Sequence, residues 1–445
     1  MAALRAAQLG AKVVVIEKDR IGGVCLNWGC IPTKTLLRTA EVLNLAREAA
    51  AYGISVGEVK LDWPAAQKRK EAVVRRLTGG VKLLLERAGV RVLPGTARFV
   101  SPSALDVATQ GGVERVEAEN YMIATGSRPA RLPIAGLDGP GVLNSDDALA
   151  MESLPASLLV IGAGPIGVEF ATLFRACGVQ VTLVEVLPRV LPTLDSDLGA
   201  EVERALKKAR VKVYTQSRVS RAVLRDGKYA VTIEAGSGEV VVEVDQVLLA
   251  VGRRPNVEEL GLEVAGVQVE KRGIPVNEYL QTNVPQLRAV GDVTGGMLLA
   301  HVAMHQGKAA AENALGHKRA MNYAGVPSCV FCWPEVATVG LSEEQARQQG
   351  HDVRVGKFPF RANGKALAQG EHDGFVKIVA SSEHGQVLGV HIVGPHASDL
   401  IQEGTLALML EATLDELEVT IHPHPTLSEA LAEAVLAAQG RALHN

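Results

Sequence analysis

Short apolar runs alternate with stretches of helical periodicity along most of the 445-residue chain. The clearest run is Leu158-Leu159-Val160-Ile161. Four apolar residues without alternation predict a strand buried on both faces, as in a parallel sheet. Gly162-Ala163-Gly164-Pro165-Ile166-Gly167 follows, then a helical stretch to Cys177, then Gly178 and a second apolar strand, Val181-Thr182-Leu183-Val184, ending at Glu185. Tyr121-Met122-Ile123-Ala124-Thr125-Gly126 and Val247-Leu248-Leu249-Ala250-Val251-Gly252 are matching runs that end in small residues, and residues 287–289 lead into Val290-Gly291-Asp292. The first two read as strands that end near bound ligands, and the third as a strand that ends in an acid. From about residue 324 the pattern changes to β segments at 336–339, 375–380 and 386–393, then helices at 399–412 and 426–436. That last part reads as an α+β module.

The segment 158–185 carries more than periodicity. A Gly-x-Gly-x-x-Gly turn that follows a strand and opens a helix, with an acid 23 positions after its first glycine, is a dinucleotide-binding fingerprint. The glycines let backbone N–H groups and the helix N-terminus approach a pyrophosphate. Glu185 would accept ribose hydroxyls and repel a 2′-phosphate, which favours NAD over NADP. The same pattern recurs at the start of the chain. One offset of 168 residues relates Gly10 to Gly178 and Glu17 to Glu185. A first nucleotide unit is therefore expected, with its helix, second strand and ribose acid, but with its first strand and Gly-rich loop absent from this chain. Two units suggest two dinucleotides, one of them a flavin.

Composition narrows the class. Lys and Arg number 46 against 49 Asp and Glu, a net charge of −3, which offers no basic surface for nucleic acid. With 47% hydrophobic and 21% charged residues the chain is globular. No run of about 18 uncharged apolar residues is present, so no membrane span is expected, and the opening residues lack a signal peptide's basic region and cleavage site. Five cysteines are too few for a disulfide framework.

Two stretches carry candidate chemistry. In Gly22-Gly23-Val24-Cys25-Leu26-Asn27-Trp28-Gly29-Cys30-Ile31-Pro32-Thr33-Lys34 the two thiols lie five apart. If a helix starts after Cys25, Cys30 lies little more than one turn away, within reach of disulfide closure. A helix N-terminus would also lower a thiol pKa and suit thiol–disulfide exchange. The plainer alternative is two packed core thiols. In His422-Pro423-His424-Pro425-Thr426-Leu427-Ser428-Glu429 a histidine between prolines, with a carboxylate five residues on, fits a general base and its orienter. Pro425 fits the first turn of the helix that follows. A histidine merely satisfied in a loop is the competing reading. Cys329 and Cys332 form a CxxC without a second ligand pair and are expected on a buried strand; no metal site is expected. His301 and His305 are expected in core packing or beside a cofactor, and Cys177 in the core.

GGVCLNWGCIPTKTLL, ATGSRP, IGAGPIGVEF, VGRRPN, GDVTGGMLLAHVA and HPHPTLSEA, in this order, resemble the class I pyridine nucleotide–disulfide oxidoreductases over nearly the whole chain. Within that family the motifs look like the branch that reoxidises lipoyl groups in 2-oxoacid dehydrogenase complexes. The resemblance implies an α/β fold with two Rossmann-like dinucleotide-binding domains and a C-terminal α+β dimerisation domain. The implied segments are 1–143 for FAD (incomplete at its start), 144–252 for NAD, 253–323 as a central continuation of the FAD part, and 324–445 as the interface.

The roles implied are these. Cys25 would be the interchange thiol and Cys30 the thiol against the flavin. Lys34 and Glu169 would sit near the reactive ring. His424, bonded to Glu429, would be the acid–base serving the other subunit of a homodimer. FAD would touch Glu17, Gly23, Lys34, Ala97, Thr125, Gly126, Ser127, Asp292, Leu298, Leu299, Ala300 and His301. NAD would lie along Gly162, Ala163, Gly164, Pro165, Ile166, Gly167, Val168 and Glu169, with Glu185, Val219 and Gly252. Implied partners are a second copy of the chain and the lipoyl domain and acyltransferase core of a 2-oxoacid dehydrogenase complex, in the cytoplasm, with no nucleic acid and no membrane. The rival expectations are a flavin-free form acting as a binding or structural subunit, and another disulfide reductase of the same family.

Overall fold

The computed structural model describes residues 1–236 and 238–444. The chain forms two compact units. The first comprises residues 1–36, 64–130 and 252–322, and the second residues 37–63, 131–251 and 323–445.

The second unit contains the fingerprint. Its parallel sheet has the order Lys212–Tyr214, Gln180–Val184, Ser157–Ile161, Gln246–Leu249, Val142–Leu143. The central strand is the apolar run read from sequence, and Leu158, Leu159 and Val160 are fully buried. Helix Pro165–Ala176 follows, with Pro165 at its first turn, and buries Val168, Phe170, Ala171, Leu173 and Phe174. A three-stranded antiparallel meander (Arg218–Arg225, Lys228–Ala235, Gly238–Val244) is inserted before strand Gln246–Leu249.

The first unit repeats this order. A parallel pair, Val14–Glu17 with Arg91–Pro94, is followed by a meander (Thr96–Ser101, Ala104–Thr109, Gly112–Glu117) and then by a parallel pair, Tyr121–Ile123 with Leu287–Ala289. The two pairs belong to separate sheets. In the second unit strand Ser157–Ile161 joins the corresponding pairs; among the described residues no strand joins them here. The cost shows in burial. Val14 is 39% exposed, whereas Thr182, at the same offset in the second unit, is 5% exposed. Helix Ala2–Gln8 buries none of its residues. An apolar strand whose edge lacks a ladder partner leaves both side chains and backbone groups to solvent.

The last part of the second unit is a five-stranded antiparallel sheet, ordered Ser328–Val330, Glu335–Gly340, Val387–Gly394, Phe375–Ser381, Val353–Pro359. Helices Ala397–Met409 and Glu429–Ala438 cover it over Phe358, Ile378, Ile392 and Leu431. The fit is close: a Cβ on Gly356 would stand 1.9 Å from the Ala434 carbonyl oxygen. The strands expected at 336–339 and 375–380 lie inside these bounds, and that expected at 386–393 is shifted by one residue. The expected helix at 399–412 starts and ends earlier, and that at 426–436 starts later. Pro425 is therefore not in the first helical turn. Residues 425–428 form a turn instead, because Thr426 Oγ1 donates to the Pro423 carbonyl and Thr426 N–H to the Glu429 carboxylate. The CxxC is only partly on a strand, which ends at Val330. Cys332 lies beyond it, buried, with its thiol directed at the Pro334 carbonyl.

One polar cluster is buried among these layers. Lys377 Nζ, on strand Phe375–Ser381, lies 3.1 Å from Asp195, 3.0 Å from Asp197 and 3.0 Å from Glu343, with its side chain 3% exposed. Asp195 also caps helix Ser196–Lys208. Burial opposes ionisation of Asp197 and Glu343, but Lys377 together with Lys357 on Asp197 and Arg347 on Glu343 outweighs it and holds both carboxyls below the usual range. Such depressed acids stabilise the fold fully above the ordinary carboxylate pKa and lose that contribution as pH falls through their own. Lys377→Met strands Asp195 as a buried charge and is expected to cost about 3–5 kcal/mol at neutral pH. In denaturant titrations the deficit should shrink below about pH 4 as the carboxyls protonate; a deficit equal at pH 3 and pH 7 would contradict the account.

Candidate active site

Gly22 and Gly23 have φ of +117° and +65°, which turns the chain into the short helix Gly23–Trp28. Asn27 Nδ2 ties its first turn down through the Ile21 and Gly23 carbonyls. Gly29 then breaks the helix, and Cys30 opens the long helix Cys30–Arg47. A Cβ at Gly29 would lie 3.0 Å from the Val24 carbonyl oxygen and 3.3 Å from the Cys25 Cα. This break brings Cys30 back onto Cys25, and the two thiols hydrogen-bond to each other in the dithiol form. The expected lowering of a thiol pKa is not found at Cys25. The hydrogen bond with Cys30, burial and the charge Cys30 would carry all favour the protonated form, and Lys34, one turn into the long helix, offsets only part of this. Cys25 is the third residue of the short helix, within its first turn, so the Cys30 hydrogen bond and burial override the helix terminus rather than Cys25 lying outside its reach.

Around the second unit's fingerprint the backbone is packed to contact. A Cβ on Gly167 would stand 1.8 Å from the Gly162 carbonyl oxygen, and one on Gly162 2.5 Å from that of Ala250. Gly164 faces open space. The loop is thus clamped behind and open in front, at the start of helix Pro165–Ala176, which fits a dinucleotide pyrophosphate. Glu185, buried at the end of its strand, accepts the N–H groups of Ala163 at 2.6 Å and Leu187 at 2.9 Å. Its charge remains at the ribose end, and each oxygen keeps acceptor capacity. Val168 and Val219 are buried in the core, so their side chains do not face a ligand. Pro165 is exposed, Ile166 is half-buried, and Glu169 is buried with its carboxylate accepting the Phe331 N–H. Gly252 falls in the other compact unit.

In the first unit, Ser127 Oγ donates to Asp292 at 2.5 Å and Arg253 Nε donates to Ser127 at 2.7 Å. Thr125 and Gly126 are fixed by Asn256, which bonds both. Glu17 accepts the Asp19 N–H and is half-buried at its strand end. These acids fit the two polar ends of a flavin dinucleotide. The strand position that would carry its pyrophosphate loop is filled by no described residue. Ala97 is half-buried on its meander strand, Leu298 is exposed, Leu299 and Ala300 are half-buried, and His301 and His305 are exposed. Core packing is therefore excluded for both histidines, because they share the outer face of helix Ala300–Ala314. Cys177, half-buried at a helix end, is pushed up to about 11 by burial.

His424 Nδ1 lies 2.8 Å from Glu429 Oε1, with the histidine side chain 80% exposed. The second carboxylate oxygen accepts the Thr426 N–H at 2.7 Å. Burial opposes ionisation of Glu429, but Thr426 and His424 together hold its carboxyl below the usual range. An ionised Glu429 only accepts, so Nδ1 donates to it and Nε2 is left facing outward.

The profile of the pyridine nucleotide-disulphide oxidoreductase family matches residues 1–307, and that of the family's dimerisation domain matches residues 326–435. The chain belongs to the pyridine nucleotide-disulphide oxidoreductases. Among curated relatives it is 44% identical to a dihydrolipoyl dehydrogenase of Bacillus subtilis, over all of this chain and 96% of that protein. It is 45% identical to a dihydrolipoyl dehydrogenase of Thermus scotoductus, over all of this chain and 95% of the other. Among solved structures, LpdA of Mycobacterium tuberculosis superposes with a TM-score of 0.90 at 30% identity, covering 98% of this chain and 96% of its own. The flavoprotein disulfide reductase RclA of Escherichia coli superposes at 0.87 and 29%, covering 98% and 96%.

For a member of this family, several polar anchors lie outside its sequence motifs. Asn363 Nδ2 donates to the Thr426 carbonyl, and Arg253 supports Ser127 from across the chain. Only the chain's folding brings these together. His422, whose signal was the doubled histidine itself, bonds Glu403. The fingerprint packing is directly testable. Gly167→Ala must push the loop off the helix, so NADH affinity measured by fluorescence quenching is expected to fall at least about tenfold, equivalent to ~1.4 kcal/mol. Parent-like affinity would contradict the clamped-loop geometry.

Proposed function

We propose that this chain is a dihydrolipoyl dehydrogenase that oxidises protein-bound dihydrolipoyl groups and reduces NAD⁺. The observation that carries the reading is the hydrogen-bonded Cys25–Cys30 pair, set beside Lys34 by the Gly29 break. The relatives named above support the substrate. Glu185 supports NAD over NADP, since its carboxylate would repel a 2′-phosphate.

In the first half-reaction the oxidised Cys25–Cys30 disulfide meets a dihydrolipoyl dithiol. One substrate thiolate attacks Cys25 Sγ, breaking the bond to Cys30. The second substrate thiol then displaces Cys25, leaving a lipoyl disulfide and two enzyme thiols. His424 Nε2 takes a proton from the attacking thiol, while Glu429 fixes the imidazole and balances its charge. The exposed position of His424 suits service to the site of a second copy, and the matched dimerisation domain supports a homodimer. Bound FAD supplies the two-electron relay from the dithiol to NAD⁺. Glu17, Ser127 and Asp292 would hold its ends, and Lys34 and Glu169 would flank its reactive ring. The glycine cradle of residues 162–167 holds the pyrophosphate of NAD⁺. Segments 1–143 and 253–323 serve FAD, 144–252 serves NAD and 324–445 serves the dimer, except that strand Val142–Leu143 belongs to the NAD sheet.

The partners that follow are a lipoyl domain and the acyltransferase core of a 2-oxoacid dehydrogenase complex, in the cytoplasm, where thiols such as Cys177 stay reduced. No helix among the described residues is long and apolar enough to cross a membrane. Cys30→Ser is expected to abolish lipoamide-dependent turnover. His424→Gln is expected to lower kcat by about 10²–10⁴ with flavin content unchanged. Steady-state rates beside the flavin absorbance of each variant check both. Near-normal turnover in the Cys30 variant would overturn the assigned redox pair.

A further inference from the structure

We infer that His422 is held as an imidazolium by Glu403 and acts as a positioning residue for the His424–Glu429 pair. The inference rests on the role given to His424 under Proposed function. Both ring nitrogens of His422 face acceptors. Nδ1 lies 3.0 Å from the Thr420 carbonyl oxygen, and Nε2 lies 2.8 Å from Glu403 Oε1. A carbonyl oxygen cannot donate, and neither can an ionised carboxylate. Both nitrogens must therefore donate, and an imidazole that donates twice carries two protons and a positive charge. His424 differs in kind, because only its Nδ1 has a protein partner at 2.8 Å.

Burial makes this second histidine an anchor. The side chain of His422 is 7% exposed and that of Glu403 30%. The neighbours Val419 and Ile421 are 77% and 95% exposed in the single chain, so the stretch that delivers His424 gains little apolar packing from its own chain. It is fixed instead by the His422 ring on helix Ala397–Met409, and after His424 by the bonds from Thr426 to Glu429 and from Asn363 to Thr426. The charged groups that face the His422 ring are Glu403 from that helix and Glu429 from helix Glu429–Ala438. The hydrogen bond to Glu403 outweighs burial and raises the proton affinity of His422 above that of an ordinary histidine.

A fixed cation at this place acts on the pair in two ways. It favours the ionised form of Glu429, which keeps Nδ1–H of His424 pointed inward. It also opposes a second proton on His424, which keeps Nε2 available as a base at lower pH.

The test uses the full-length homodimeric protein with isotope-labelled histidine, in three forms: parent, His422→Gln and Glu403→Gln. Loss of one ring signal in His422→Gln assigns it. In the parent that signal is expected to titrate above the ordinary histidine pKa of about 6.5, and in Glu403→Gln to return to it. A parent signal that titrates at or below about 6.5 overturns the imidazolium. Kinetics with dihydrolipoamide give the second readout. His422→Gln removes the cation at every pH, so its kcat/KM acid limb is expected to move up by roughly half a pH unit, the effect of one charge across partly aqueous protein; in Glu403→Gln the ring recharges below about pH 6.5, so a smaller shift is expected. Acid limbs that superpose on the parent's in both variants overturn the positioning role. If the parent itself does not oxidise dihydrolipoamide, the proposed function falls, while the titration still decides the charge on His422.

Discussion

Two thiols five residues apart on one continuous helix would sit on different faces. Here they meet because the helix stops at Gly29 and restarts at Cys30, with a backbone approach that a Cβ would crowd. The redox reading depends on this one break. Once the pair is closed in space, a protonated Cys25, a neighbouring Lys34 and a half-buried setting follow from it. The hydrogen-bonded dithiol is the reduced form that exchange with a dihydrolipoyl group leaves behind. It becomes a nucleophile only when a base removes a proton, which is why a histidine with a fixed tautomer matters to the same chemistry.

The two nucleotide units show what the central strand of such a sheet does. In the second unit Ser157–Ile161 is bonded on both sides, the flanking strands are buried, and the glycine loop is clamped against Ala250. In the first unit the equivalent pairs keep their parallel sense but remain separate sheets, and Val14 stands exposed. The meander and the shared cluster of Phe99, Ile123, Leu287 and Ala289, with Ile16 against it, hold that unit's architecture without a continuous ladder.

Much of this was legible in the sequence because it is local. The fingerprint, the thiol stretch and the His424–Glu429 spacing each lie within about one supersecondary unit, and periodicity places them on the right elements. The misplacements have local causes too. Pro425 suits a helix start, but Thr426 bonds back to Pro423 and forward to Glu429, which delays the helix to Glu429. Cys25 was given the electrostatics of a helix terminus, but its proton is governed by Cys30. What lay beyond reach is long-range. Lys377 with Asp195, His422 with Glu403 and Asn363 with Thr426 are contacts that only the packing of distant segments creates. Burial of Val219 likewise depends on the sheet beneath it.

The central claim is that one chain joins a dithiol centre to NAD⁺ through a bound flavin. The most direct measurement is dihydrolipoamide-dependent NADH formation with flavin quantified in the same preparation of the purified chain. The account expects NADH to appear with NAD⁺ rather than NADP⁺, at a rate proportional to flavin content. A preparation that binds flavin and NAD⁺ yet forms no NADH from dihydrolipoamide would contradict it.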